Sequence, residues 1–149
     1  MARECGACRA CCITLGFRAA AGEAPFDKPA NTPCVHLVQI GCGIYPSRPP
    51  ACRRFQCGWL SAPNLPEEMR PDRCGVLFCT NDNPLQPGSF AVYGYELRPG
   101  ALDERPAQWL IGEVSGEMTV ILARWDGRTE VWSADPEIGE ALEGTGSEL

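Results

Sequence analysis

The sequence predicts a small α+β domain: a cysteine-rich N-terminal region of short helices and loops, then a body made of a small antiparallel sheet and one helix. Three observations lead there. Eight of the ten cysteines fall within residues 1–57, amid Gly and Pro punctuation at Gly41, Gly43, Pro46, Pro49 and Pro50. Two β-branched, aromatic stretches and a hairpin pattern follow. One amphipathic stretch with helical spacing lies among them. A chain of 149 residues fits one domain. Its expected division is residues 1–57 as the cysteine region, 58–133 as the α+β body, and 134–149 as an acidic, flexible tail.

Along the chain, Cys8, Cys11, Cys12 and Leu15 fall at i, i+3, i+4 and i+7, one face of a short helix. A second short helix is expected from Pro49–Pro50, tolerated in a first turn, to Cys57, with Gly58 as its stop. Val76 to Cys79 and Phe90 to Leu97 have strand composition. Asp103 is placed to cap a helix with Pro106 in its first turn. Ala107, Leu110, Ile111 and Val114 mark its buried face, and Ser115-Gly116 ends it. Thr119–Trp125 and Arg128–Ser133 read as a hairpin closed by a two-residue Asp126-Gly127 turn.

Hydrophobic content of 44% and charged content of 21% belong to a folded globular chain. Met1 leads directly into Arg3, Glu4 and Cys5 with no apolar leader, and no apolar run approaches the ~20 residues that span a bilayer. The expectation is a cytoplasmic protein with no membrane association. In a reducing compartment, dense thiols indicate metal binding or catalysis rather than disulfides. The net charge of −6 conceals a polarity: residues 1–57 hold seven Lys/Arg against three Asp/Glu, while the rest holds six against sixteen. No basic stripe is interleaved with exposed aromatics, so nucleic acid is not the expected partner. The local cations instead suit thiolates, whose formation they favour.

The run Cys5-Gly-Ala-Cys8-Arg-Ala-Cys11-Cys12 carries the strongest chemistry. A C-x2-C pair turns two sulfurs toward one point, which suits tetrahedral zinc. The third cysteine at the same interval also matches the run that holds three corners of a [4Fe–4S] cluster. Adjacent side chains diverge, so Cys11 and Cys12 are expected to serve two sites, or one site plus a reactive thiol. Cys34, Cys42, Cys52 and Cys57 complete eight thiols, enough for two four-cysteine sites. With two divalent ions they would carry four excess negative charges, equal to the positive excess of residues 1–57.

That run, with Pro33-Cys34, Gly41-Cys42-Gly43-Ile44-Tyr45, Arg48-Pro49 and Cys52-Arg53, resembles the bacterial CxxCxxCC family, also called YkgJ-type cysteine-cluster proteins. The resemblance covers roughly residues 5–57. It implies a zinc- or iron-chelating domain with Cys5, Cys8, Cys11, Cys12, Cys34, Cys42, Cys52 and Cys57 as ligands. The family has no established activity, so the resemblance leaves enzymatic activity open and gives the body no function.

Other residues have plainer readings. Cys74 and Cys79 are expected as buried small hydrophobes. His36, the single histidine, is either a zinc ligand beside Cys34 or a hydrogen-bonded bystander. Arg48, Arg53 and Arg54 are either surface groups or donors supporting a thiolate site. Tyr45 is expected to pack, and Trp59, Trp109, Trp125 and Trp132 to form core and rim of the body. Three functions compete: a structural zinc module whose body meets a protein partner, an iron–sulfur protein, and a thiol–disulfide or thiol-transfer enzyme. The last lacks the βαβ setting of a thioredoxin-like motif.

Overall fold

The computed structural model describes residues 8–16, 28–39, 41–55 and 57–135. Cys5 and the tail from residue 136 onward lie outside the described residues. The chain forms two compact units, Met1–Leu65 and Pro66–Leu149. The class is α+β.

The first unit consists of very short elements. Helix α1 spans Ala10–Thr14 and ends where Leu15 turns extended. Strands β1 (Leu37–Val38) and β2 (Gly41–Cys42) pair antiparallel. A 3-10 turn at Tyr45–Ser47 leads to α2 (Pro50–Arg54) and α3 (Gly58–Ser61). The helix expected to run to Cys57 ends at Arg54, and Gly58 opens a further helix rather than stopping the first. The Cys57 carbonyl takes over as cap, accepting from the Leu60 and Ser61 amides at 3.1 Å each. Buried hydrophobic residues here are Ala10, Cys57 and Trp59, so among the described residues only one large apolar side chain is sunk in this unit.

The second unit holds the conventional core. Helix α4 (Pro71–Cys74) precedes β3 (Val76–Asp82), and β4 (Phe90–Glu96), α5 (Arg105–Val114), β5 (Thr119–Ala123) and β6 (Thr129–Trp132) follow. The sheet order is β3-β4-β5-β6, with β3/β4 and β5/β6 antiparallel and β4/β5 parallel. The sheet is thus mixed rather than wholly antiparallel. The physical reason is the crossover: α5 returns the chain so that β5 enters beside β4 in the same direction, which a tight turn cannot do.

Side chains alternate across a sheet, yet Val76, Leu77, Phe78 and Cys79 are all buried, so this end of β3 is covered on both faces. Val120, Ile121 and Leu122 continue this pattern, and α5 buries Ala107, Leu110 and Ile111. One buried carboxylate ties the layers together. Glu96 accepts the Leu102 amide at 3.1 Å and the Trp125 amide at 2.7 Å, with Arg124 at 3.7 Å. Arg124 also reaches Asp103 and Glu130. Asp103 therefore pairs with Arg124 instead of capping α5, whose N-cap is Glu104.

The β5–β6 turn is longer than expected. The Arg124 amide donates to the Arg128 carbonyl at 2.8 Å, and the Gly127 amide to the Arg124 carbonyl at 3.0 Å. Trp125, Asp126 and Gly127 thus form a three-residue loop in which Gly127 alone takes positive φ, 90°. Trp59 is the one tryptophan in a core. Trp109, Trp125 and Trp132 are 46%, 60% and 45% exposed, so of the four tryptophans expected as core and rim three are rim.

Candidate metal centre

The described candidate ligands of the first unit lie on five short segments. Cys11 and Cys12 ride on α1, with Cys8 just before it. The chain returns alongside: the Asn31 amide donates to the Thr14 carbonyl at 3.0 Å and the Cys34 amide to the Cys12 carbonyl at 2.9 Å. Gly16 allows that approach, since a Cβ there would sit 2.7 Å from the Ala30 nitrogen. From Cys34 the chain turns at once, the Leu37 amide donating to the Cys34 carbonyl at 3.0 Å. The β1–β2 hairpin then sets Cys42 opposite Leu37. Cys52 lies in α2 and Cys57 at the start of α3.

One cation of the first unit carries no signal in the sequence. Lys28 is buried, at 5% exposure, and its ammonium donates to the carbonyls of Ile13, Leu15 and Pro29. Burial pushes its pKa down, while the fields of Cys34, Cys12, Cys11 and Cys52 push the other way. Arg48 is the second fixed cation. Its guanidinium lies 3.9 Å over the Tyr45 ring and donates to the Tyr45 carbonyl at 3.0 Å, and Arg53 donates to the Arg48 carbonyl at 2.8 Å. Tyr45, 45% exposed, packs against Arg48 rather than into a core. Arg53 and Arg54 are exposed on α2.

The thiol electrostatics show which groups act on which sulfurs. The Cys12 thiol is lowered to about 7, chiefly by a hydrogen bond from Cys11, against burial, with Lys28, Arg48 and Arg9 adding to the lowering. The Cys52 thiol is pushed up by burial and then by Cys12, Cys34 and Cys42, opposed by Arg48. The Cys57 thiol is pushed up by burial and by Cys8, opposed by hydrogen bonds from the Leu60 and Trp59 amides. The Cys11–Cys12 hydrogen bond is a departure from the expectation that these neighbours diverge.

None of the nine described cysteines is in a disulfide. Among the described residues, no group of three or more His, Cys, Asp or Glu side chains is drawn close enough to hold a metal ion. The donor chemistry nonetheless suits a thiophilic metal: reduced sulfurs on converging segments, with two cations beside them. His36 is half-buried in the turn before β1, and its carbonyl accepts the Gly43 amide at 2.8 Å. Cys74 and Cys79 are buried in the second unit, as expected of small hydrophobes. The Cys74 thiol donates to the carbonyls of Val76 at 3.2 Å and Met69 at 3.5 Å.

No helix among the described residues is long and apolar enough to cross a membrane. Comparison with known protein families, with curated proteins and with solved structures returned no match.

Proposed function

We propose that this chain is a metal-binding protein whose N-terminal unit chelates zinc through cysteine thiolates, the metal serving as the unit's structural core. One observation carries the reading. The fields of Cys12, Cys34 and Cys42 reach the Cys52 thiol, and Lys28 and the thiols of Cys34, Cys12, Cys11 and Cys52 act on one another electrostatically, in a unit whose described part buries a single large apolar side chain, Trp59. Elements of two to five residues cannot hold themselves together, and metal–thiolate bonds supply what the missing core does not. The resemblance of residues 5–57 to the CxxCxxCC family supports the same ligand set, Cys5 included.

An iron–sulfur centre is the second reading, favoured by the Cys5, Cys8, Cys11 interval. Anaerobic purification without a metal-binding tag, followed by a visible spectrum and elemental analysis, separates the two. A colourless protein containing zinc is the expected result. A brown protein with iron and acid-labile sulfide would replace zinc with a cluster, and a metal-free, reduced and folded chain would overturn both.

A further inference from the structure

The two edges of the four-stranded sheet are finished differently. At β3, the Leu97 amide donates to the Gly75 carbonyl and the Asn83 amide to the Ser89 carbonyl. Bonded and unbonded residues alternate along an antiparallel pair, so Val76, Phe78, Thr80 and Asp82 turn their backbone groups outward. The protein closes both ends of that row itself. The Cys74 thiol donates to the Val76 carbonyl at 3.2 Å, the Tyr93 hydroxyl donates to the Asp82 carbonyl at 3.0 Å, and the Asp82 amide donates to the Asn81 side chain at 2.8 Å.

At β6 the bond from the Arg124 amide to the Arg128 carbonyl sets the same alternation. Glu130 and Trp132 face β5, while Thr129 and Val131, and Ser133 at the next position of that parity, face outward. Among the described residues, no hydrogen bond reaches the outward backbone groups of Thr129 or Val131. The strand contains no Pro or Lys, and Arg124 draws its one charged side chain, Glu130, onto the sheet face at 2.9 Å. The usual guards against edge pairing are thus missing from it. We propose that β6 is a self-association edge: β6 of a second copy of this chain pairs with it antiparallel about a two-fold axis at Val131, joining two four-stranded sheets into one.

The residues of the strand select that partner. Pairing centred on Val131 sets Val131 against Val131, Thr129 against Ser133 and Glu130 against Trp132, so each outward residue meets an outward residue. Trp132, 45% exposed, then lies beside the Glu130–Arg124 pair of the second copy and diagonal to its Arg128, a setting in which cations attract an aromatic face. An axis moved to Glu130 would set Glu130 against Glu130, which like-charge repulsion opposes. Each copy carries a net charge of −6, so salt strengthens the association by screening the repulsion between copies.

The test is sedimentation velocity of the full-length chain in reductant, over a range of concentrations at low and high salt, with amide exchange followed by NMR. The expected result is a monomer–dimer equilibrium that moves toward dimer with salt, the Thr129 and Val131 amides slowing as dimer forms. Val131→Pro removes a donor that β5 does not use and should weaken the dimer by about tenfold or more. Val131→Lys sets two like charges across the axis and should have the same effect without touching the backbone. Unchanged exchange along β4 and β5 shows that each variant keeps its fold. A chain monomeric at every concentration overturns the proposal. So does a dimer whose Thr129 and Val131 amides exchange as fast as the monomer's, or one that Val131→Lys leaves undiminished. A monomer in which those two amides are already protected overturns it in favour of a segment of the same chain lying along the edge.

Discussion

If the first unit holds zinc as proposed, removing the metal should unfold that unit and leave the second intact. Full burial of a large apolar side chain contributes about 1.5–3 kcal/mol. The described part of the first unit has one such residue, Trp59, whereas the second has Val76, Leu77, Phe78, Leu102, Ile111, Val120, Ile121 and Leu122, all at 5% exposure or less. By that measure the second unit gains roughly 12–24 kcal/mol from these residues and the described part of the first about 1.5–3 kcal/mol. A structural zinc supplies on the order of 10–16 kcal/mol in small metal domains, so here it would be the dominant stabiliser. The assay is hydrogen exchange by mass spectrometry, with a zinc chelator and a reductant that keeps thiols from oxidising. Amides of Cys34, Leu37 and Gly43, each bonded to a backbone carbonyl in the first unit, should lose protection by about a thousandfold or more, since 1.4 kcal/mol is tenfold. Amides along β3, β4 and β5 should hold theirs. Unchanged exchange at Cys34, Leu37 and Gly43 after verified metal removal would refute the reasoning.

Three further outcomes follow from particular contacts. Glu96→Gln puts an amide nitrogen against one of the two backbone donors that the carboxylate now satisfies; chemical denaturation should show a loss of about 2–4 kcal/mol, with metal content unchanged. Cys79→Ser places a hydroxyl in the core of the second unit and should cost about 1–3 kcal/mol, again without loss of metal. The Asp72 carboxyl is held below its ordinary value by the Arg70 guanidinium. Its contribution is therefore complete above the unfolded carboxylate pKa of ~3.9 and disappears as pH falls through the lower folded value. At this partly exposed pair it stays under about 1 kcal/mol. Asp72→Asn should narrow the gap to wild type only at the acid end of a stability–pH curve, and a difference that grows below pH ~4 would contradict the assignment.

Local pattern was legible in the sequence, whereas long-range geometry was not. The face of α5 could be read from Ala107, Leu110 and Ile111, because period and burial coincide there. The strand content of Val76–Cys79 was equally plain, and so was the burial of Cys74 and Cys79. The parallel pairing of β4 and β5 was missed although a helix lies between them, since strand composition carries no direction. Gly58 was misread because glycine serves at either end of a helix, and the Cys57 carbonyl decided which. The exposed Trp109, Trp125 and Trp132 show that aromatic identity alone does not locate a core. In the candidate site, spacing picked out Cys8, Cys11 and Cys12 as one run but could not say that the Cys34 amide would bond to the Cys12 carbonyl. Lys28 carried no local signal at all. Its position follows from the close approach that Gly16 permits and from three carbonyls distant or adjacent in sequence.

The most direct measurement is the intact mass of the anaerobically purified, full-length chain under native conditions, compared with its denatured mass. The account predicts a difference of two zinc ions, with the cysteines reduced. A native mass equal to that of the bare reduced polypeptide, from protein whose first unit is still protected against exchange, would contradict it.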